Sequence, residues 1–180
     1  MDFIPRAVIF DMDGVLFDSE PLHQQAWDDV IGRHGVRLAP ADYHRHRGRP
    51  DRDLADELHQ RWDPAIDPAA ILDEKRVRYH ELLPTGLIVF ENVPVKIGRL
   101  HALGLPLAVC TSCILSEAEP TLEVAGVLRF MTTVVTLDQV ERPKPDPQPY
   151  QMACARLGLE PGQCLVLEDS PTGSAAARAA

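Results

Sequence analysis

Four short apolar runs constrain the fold of this chain more than any other feature of its sequence. They span residues 7–10, 107–110, 132–136 and 164–167. Each run is apolar at nearly every position instead of alternating between apolar and polar residues. This is typical of strands in a parallel sheet that is covered on both faces. We therefore predict that the four runs are the buried strands of one parallel sheet.

Helical patterns separate the later runs, and they begin near residues 95, 116 and 147. Each pattern is followed by a glycine at the position where a helix commonly ends; these are Gly104, Gly126 and Gly158. Glu119, three residues after Ser116, predicts a capping box at the start of the second helix. Strands that alternate with helices indicate a Rossmann-like open α/β sheet with right-handed crossovers.

The segment that follows the first run has a different pattern. Residues 18–83 contain three helix-like segments and no convincing strand. A chain of 180 residues is long enough for one domain with a small insertion. We therefore predict an α/β core made of residues 1–17 and 87–180, and a helical insertion at residues 18–86.

Two carboxylates stand directly after the first apolar run. Asp11 and Asp13 are one residue apart, so in an extended segment their side chains point the same way. Gly14 permits a sharp turn immediately after them. Two carboxylates at one accessible point repel each other unless positive charge lies beside them. The pair therefore indicates a metal site, acid–base chemistry with two separated pKa values, or both.

Polar residues also follow the other three runs. Thr111 and Ser112 follow the second, Lys144 follows the third after a loop, and Glu168 and Asp169 follow the fourth. In open parallel sheets, ligands bind at the carboxyl ends of the strands. We therefore predict that all these residues collect at one edge of the sheet and form a single site.

Taken in order, these residues resemble the motifs of the haloacid dehalogenase superfamily, and within it the β-phosphoglucomutase-like group of phosphatases and mutases. The resemblance covers essentially the whole chain, and it is carried by Asp11-Met12-Asp13-Gly14-Val15-Leu16, Asp18-Ser19-Glu20-Pro21-Leu22-His23 with Ala26-Trp27, Thr111-Ser112, Lys144-Pro145-Asp146-Pro147 with Tyr150, and Glu168-Asp169-Ser170 with Gly173. It implies that the insertion is a helical cap of the C1 type. Because members of the group continue past the last motif with a further strand and helices, it also implies that the C-terminal part of the core is missing.

The resemblance implies specific catalytic roles. Asp11 would attack phosphorus and form an aspartyl-phosphate. Asp13 would protonate the leaving oxygen and then take a proton from the water that hydrolyses the intermediate. Thr111 would donate its hydroxyl to the phosphoryl oxygens, and Lys144 would supply positive charge to them. The Ser112 backbone N–H would be a further contact to the substrate.

The motif that contains Lys144 has two possible registers. Arg142 also precedes a proline in a similar pattern and would fill the same position in the second register. We prefer Lys144 because Tyr150 then falls at the aromatic position of the motif.

The resemblance also implies a Mg²⁺ cofactor, which prefers oxygen ligands in octahedral geometry. Its ligands would be the Asp11 carboxylate, the Asp13 backbone carbonyl and Asp169, with Glu168 either as a ligand or acting through water. In the cap, His23 and Lys75 would occupy positions that the mutases use near the substrate. Those two residues and Arg49, in a loop that faces the active site in this family, are therefore predicted to bind the substrate.

The function implied is a Mg²⁺-dependent phosphomonoester hydrolase that acts on a small phosphorylated metabolite, such as a sugar phosphate, through an aspartyl-phosphate. One alternative is a phosphosugar mutase of the β-phosphoglucomutase type, whose cap must exclude water while the phosphoryl group returns to the sugar. A second alternative is an inactive, truncated protein of the same superfamily.

Composition excludes several other classes. The net charge of −9 argues against a nucleic-acid partner. No apolar run approaches the roughly 20 residues that a membrane span requires, and no secretory signal precedes the first strand. We therefore expect a cytoplasmic protein without a membrane partner. A monomer is expected, or a dimer if the exposed edge of a truncated core pairs with a second copy.

The cysteines leave one alternative open. Cys110 and Cys113 have the C-x-x-C spacing of redox motifs and zinc sites, without a second pair at metal-ligand spacing. The other interpretation is that they are small residues of a reduced cytosolic protein.

Overall fold

The computed structural model describes residues 4–46 and 50–180, except for the side chain of His44. Its strands are β1 (Ala7–Phe10), β2 (Phe17–Asp18), β3 (Ile88–Val89), β4 (Leu107–Cys110), β5 (Thr133–Val135) and β6 (Cys164–Leu167). Its α-helices are α1 (Glu20–Arg33), α2 (Pro40–His46), α3 (Asp51–Arg61), α4 (Pro68–Gly86), α5 (Val93–Ala102), α6 (Leu115–Val124), α7 (Gln148–Leu157) and α8 (Pro171–Ala179). The chain divides into two compact units, one made of Met1–Asp18 with Leu87–Ala180 and the other of Ser19–Gly86.

The first unit is built on a four-stranded sheet in the order β5-β4-β1-β6. All three pairings are parallel. Phe10, the last residue of β1, pairs with Val109 and Leu167, so the neighbouring strands end at nearly the same level. The predicted α/β class and parallel sheet are therefore confirmed, and the carboxyl ends of β1, β4 and β6 lie side by side.

Alternate residues of these strands face two separate hydrophobic layers. On one side, Val8 and Phe10 pack with Ile97 of α5 and with Leu122 of α6. On the other side, Ile9 belongs to a layer that includes residues of α7 and α8. Burying an aliphatic or aromatic side chain of this size stabilises the fold by roughly 1.5–3 kcal/mol. A continuous apolar run is therefore what such a strand requires.

Helices α5, α6 and α7 each end within two residues of the glycine that was predicted to follow them. Gly104, Gly126 and Gly158 have φ angles of 78°, 72° and 68°, in the left-handed region where glycine is favoured over other residues.

The predicted capping box at Ser116 is wrong, because α6 begins one residue earlier, at Leu115. The N-cap residue is Ile114, whose hydrocarbon side chain cannot accept a hydrogen bond. The first-turn N–H of Leu115 instead donates to the Asp138 carboxylate at 3.0 Å. The cap therefore comes from a residue far along the chain, which a local sequence motif cannot indicate.

The described residues of the second unit form four helices, one more than the sequence pattern predicts. Its core comprises buried residues of α1, α3 and α4, namely Trp27, Val30, Ile31, Leu54, Ala55, Leu58, Ile71 and Leu72, together with Val36 and Ile66 from the connections. The additional helix is α2, which has seven residues and a largely polar sequence. In the first unit, the two-residue strands β2 and β3 pair antiparallel. Both features are too short to produce a recognisable periodicity.

Among the helices of the described residues, none combines the length and the apolar character that crossing a membrane requires. The four cysteines are free thiols, and Cys110 and Cys154 are buried.

Candidate active site

Asp11 is the first residue after β1 and is largely buried. Its backbone N–H donates to the Leu167 carbonyl at 2.8 Å, which extends the β1–β6 pairing by one residue. Gly14 then turns the chain with a φ of 78°. The side chain of Asp11 is thus held at the edge where the strands end, as the sequence predicts.

Lys144 lies at the centre of the polar cluster. Its Nζ donates to Asp11 Oδ1 at 2.7 Å, to Glu168 Oε2 at 2.8 Å and to the Cys110 carbonyl at 2.9 Å. These three acceptors match the three hydrogens of an ammonium group. Burial is the largest single effect and lowers the pKa of Lys144, but the charges of its neighbours, Asp11 foremost, and the hydrogen bonds to Asp11 and Glu168 together outweigh it. The pKa of Lys144 is therefore raised above its ordinary value.

Arg142, the residue of the alternative register, has a different environment. Its side chain is 66% exposed and pairs with Asp146 at 3.2 Å. Of the two candidates, the structure therefore brings Lys144 to the carboxylates.

Glu168 accepts hydrogen bonds on both carboxylate oxygens. Besides Lys144, the hydroxyl of Tyr150 donates to Oε2 at 2.5 Å. Oε1 accepts from the Ser170 backbone N–H at 3.1 Å and from the Ser170 hydroxyl at 2.8 Å. Burial raises the pKa of Glu168, but the hydrogen bonds from Lys144, Tyr150 and Ser170 and the charge of Lys144 together lower it by more. The pKa of Glu168 therefore lies below its usual value.

Three carboxylates converge at this edge. One oxygen each from Asp11, Glu168 and Asp169 lies within 4.8 Å of the other two. Two glycines make this approach possible. A Cβ on Gly14 would lie 2.1 Å from Asp169 Oδ2, and a Cβ on Gly173 would lie 1.9 Å from Glu168 Oε2. The space beside both carboxylates therefore exists only because these residues lack side chains.

Burial dominates the electrostatics of Asp11. It raises the pKa of the carboxyl to about 7, and the positive charge of Lys144 offsets only part of that effect. Neighbouring Glu168 and Asp13 raise it further. With Lys144 as the nearby cation, the cluster of three carboxylates favours a further positive charge beside it.

Asp13 and Thr111 belong to the same edge. Asp13 Oδ2 lies 3.5 Å from Cys113 Sγ, which brings the segments after β1 and β4 together. Thr111 is buried, and its Oγ1 accepts from the Cys113 backbone N–H at 3.1 Å. That contact leaves the hydroxyl hydrogen of Thr111 available to another acceptor. Ser112 is exposed beside it.

Two of the residues predicted in the helical insertion, His23 and Lys75, lie close together within the second unit. Lys75 is fully buried, and its Nζ lies 2.7 Å from His23 Nδ1 and also donates to Asp51. Arg49, the third residue predicted to bind the substrate there, lies outside the described residues.

Sequence reasoning missed two participants. It used Tyr150 as a motif position but did not predict its hydrogen bond to Glu168, and it did not single out Asp51 at all. The aromatic position of the motif was an available signal for Tyr150. No signal was available for Asp51, because one acidic residue in a charged segment resembles an ordinary solvated residue.

The fold and the cluster define a class: an open parallel α/β protein with carboxylates and a lysine gathered where its strands end. A family model described as haloacid dehalogenase-like hydrolase matches residues 5–180. The chain belongs to this family, which confirms the resemblance seen in its motifs.

Individual relatives lie in the same family. The chain is 32% identical over 178 residues to validoxylamine A 7'-phosphate phosphatase of Streptomyces hygroscopicus subsp. limoneus, covering 97% of this chain and 82% of that protein. It is 33% identical over 174 residues to fructose-1-phosphate phosphatase YqaB of Escherichia coli, covering 96% of this chain and 91% of that protein. Among solved structures, a putative β-phosphoglucomutase from Thermotoga maritima matches with a TM-score of 0.82 and 29% identity, covering 96% of this chain and 80% of that one.

Proposed function

We propose that this protein is a metal-dependent phosphatase that hydrolyses a small phosphorylated carbohydrate. The observation that carries the proposal is the buried Asp11 carboxylate, held by Lys144 within a cluster of three carboxylates at the end of the sheet. The names of the two relatives support this substrate class, since one is a validoxylamine A 7'-phosphate phosphatase and the other a fructose-1-phosphate phosphatase.

The chemistry assigned to the site proceeds in two displacements. A carboxylate oxygen of Asp11 forms a bond to phosphorus while the ester P–O bond breaks, and Asp13 gives its proton to the leaving oxygen. Water then attacks phosphorus, Asp13 accepts a proton from it, and the bond between phosphorus and Asp11 breaks. Asp13 lies close enough to Asp11 for its charge to raise the pKa of that carboxyl, which supports its role in this proton exchange.

Charge repulsion is the main obstacle to the first displacement. Two like unit charges about 4 Å apart repel by roughly 4 kcal/mol at an effective dielectric constant near 20. A phosphate dianion that approaches several carboxylates therefore requires matching positive charge. Lys144 provides part of it, and the Thr111 hydroxyl and the Ser112 backbone N–H would donate to the phosphoryl oxygens.

The donor set fits Mg²⁺, which binds carboxylate and carbonyl oxygens. Asp11 and Asp169 would be direct ligands together with the Asp13 backbone carbonyl. Glu168 would act through water, because both of its oxygens already accept hydrogen bonds from the protein. The space that Gly14 and Gly173 leave beside the carboxylates supports this assignment. When bound, the ion would neutralise the phosphoryl oxygens and lower the barrier to attack.

A phosphosugar mutase is the second candidate. The structural similarity to a putative β-phosphoglucomutase supports it, as does the presence of His23 and Lys75 in the helical unit. The two candidates share the first displacement and differ in whether water or a sugar hydroxyl receives the phosphoryl group.

One assay separates the candidates. The protein is incubated with Mg²⁺ and a panel of hexose, pentose and hexitol phosphates, and both free phosphate and isomer conversion are measured. Phosphate release without isomerisation is the expected result, and isomerisation without net phosphate release would favour the mutase.

Two matched pairs of variants test the residue assignments. Asp11→Asn is expected to abolish turnover, whereas Asp73→Asn, at a side chain 76% exposed, leaves it unchanged. Lys144→Met is expected to lower turnover at least ~100-fold, since removing one preorganised charge contact costs about 2.7–4 kcal/mol; Arg142→Met should have little effect. A folded wild type with no more turnover than Asp11→Asn across the panel would refute the proposed phosphatase.

A further inference from the structure

Two cysteines that the candidate active site does not use are neighbours within the first unit. Cys154 lies on α7 and is buried, whereas Cys164 is the first residue of β6 and is partly exposed. Both side chains belong to the apolar layer that includes residues of α7 and α8. The Cys154 thiol also forms a hydrogen bond with the Cys164 side chain. The two sulfur atoms are therefore in direct contact with each other.

The connection between α7 and β6 holds the two side chains in this place. Gly158 turns the chain at the end of α7 with a φ of 68°. The Leu159 N–H donates to the Cys154 carbonyl at 3.0 Å, and the Cys164 thiol donates to the carbonyl of Glu160 at 3.8 Å. Each cysteine is therefore held against the same short turn, at two successive residues of the chain.

The C-x-x-C pair of the sequence is divided between the two faces of the sheet. Cys110 lies in the layer with residues of α7 and α8, whereas Cys113 packs against the layer that contains Val8 and Phe10. A disulfide between Cys110 and Cys113 would require one of these side chains to leave its layer. The tertiary structure therefore favours a pair that no sequence motif indicates.

The two neighbouring thiols differ in their surroundings. Burial, followed by the hydrogen bond and the charge of Cys164, raises the pKa of Cys154 to about 12. Because the thiolate is the nucleophile, buried Cys154 does not react first, and an external reagent reaches the partly exposed Cys164. Once the Cys164 sulfur is bonded to another sulfur, it no longer carries a negative charge. One of the causes that keep Cys154 protonated is then removed.

We propose that Cys154 and Cys164 form an intramolecular disulfide when the protein meets a low-molecular-weight disulfide such as oxidised glutathione. The Cys164 thiolate attacks one sulfur of that reagent, the S–S bond of the reagent breaks, and one small thiolate leaves and takes up a proton. The Cys154 thiolate then attacks the Cys164 sulfur of the mixed disulfide and displaces the second small thiolate, which is also protonated. The two protein thiols are oxidised, and the small disulfide is reduced to two thiols.

The bond would join α7 to β6 at the end of the strand that lies away from the candidate active site. Cys164 begins β6, and Leu167 ends it directly before Glu168. A bond between residues 154 and 164 closes a short loop and so lowers the entropy of the unfolded chain. The oxidised protein is therefore expected to melt about 5 °C higher than the reduced protein.

Peptide mapping of the full chain tests the pairing. The folded, reduced protein is freed of reductant and incubated with oxidised glutathione, and its free thiols are then blocked with iodoacetamide before digestion without reduction. Trypsin cleaves after Arg156, between the two cysteines, and keeps Cys110 and Cys113 together in residues 100–129. The expected product is residues 130–156 linked to residues 157–178, with the free thiols reduced from four to two.

Three outcomes of the mapping would overturn the proposal. One is a link from residues 100–129 to either of the other peptides. Another is glutathione that stays attached to Cys164 in the wild type, and the third is a protein that keeps all four thiols free.

Substitutions of the cysteines test the order of attack and its consequence. Cys154→Ala is expected to retain glutathione on Cys164, because the second displacement is lost. Cys164→Ser should give neither an adduct at Cys154 nor the rise in melting temperature. The matched control is Cys113→Ser, which should form the linked peptide as the wild type does. An adduct at Cys154 in Cys164→Ser, or an equal rise in its melting temperature, would refute the mechanism.

Discussion

Replacing Asp11 by asparagine is expected to stabilise the metal-free protein at alkaline pH while abolishing catalysis. The carboxyl is largely buried, and its pKa rises from 3.8 to about 7 on folding. A difference of about 3 pH units, at ~1.4 kcal/mol each, corresponds to roughly 4 kcal/mol of folding free energy. The active-site acid is therefore a substantial cost to stability whenever it is ionised without a metal.

The sign follows from proton binding. Below about pH 4 the carboxyl is protonated in both the folded and the unfolded chain. Between about 4 and 7 the folded state binds more protons, so stability decreases as the pH rises. The stabilisation that comes from the raised pKa is therefore fully present below the pKa of the unfolded chain, 3.8. It is lost as the pH rises through the pKa of the folded protein, about 7. Between pH 5 and pH 8 the expected loss is about 3 kcal/mol.

The assay is urea unfolding in EDTA, with wild type and Asp11→Asn compared at several pH values. The difference between their unfolding free energies cancels the titration of all other groups. The unfolding free energy of Asp11→Asn minus that of wild type should be about 3 kcal/mol larger at pH 8 than at pH 5. Asp73→Asn, at an exposed position, serves as the control and should show no such trend. A difference between wild type and Asp11→Asn that does not change with pH would refute the reasoning.

Three further variants test other parts of the structure. Gly14→Ala is expected to destabilise the fold by about 1–2 kcal/mol, because the φ of Gly14 is 78°. The added Cβ would also displace the Asp169 carboxylate, so the Mg²⁺ concentration needed for activation is expected to rise at least ~10-fold. An unchanged Mg²⁺ titration would contradict this. Tyr150→Phe is expected to cost about 1–3 kcal/mol in urea unfolding, since Glu168 loses a buried hydrogen bond; a cost below ~0.5 kcal/mol would show that the bond is not maintained in solution. Leu58→Ala, at a fully buried position of the helical unit, is expected to cost about 2–5 kcal/mol, measured by thermal and urea unfolding, and a smaller loss would mean that this core is loosely packed.

Much of the sheet could be predicted because a strand buried on both faces requires apolar residues at nearly every position, and that pattern is visible in the sequence. Strands β1, β4 and β6 coincide with three of the apolar runs, and β5 is shorter than its run by one residue at each end. Helix α2 was missed because a short, partly exposed helix needs no long apolar stripe. The cap of α6 was misassigned because its acceptor, Asp138, comes from another part of the chain.

The candidate site, like the fold, could be predicted only in part from the sequence. Sequence alone determined which acidic, basic and hydroxyl residues follow which strand, and the parallel topology then brought them to one edge. The position of Tyr150 in the sequence favoured Lys144 over Arg142, and the tertiary structure shows Lys144 bound to Asp11 and Arg142 exposed. The pairing of Lys75 with Asp51 was visible only in the tertiary structure. The physical reason is that ion pairing and burial depend on distances between residues far apart in the chain. Motifs and periodicity reflect only the local structure of residues close together in the sequence.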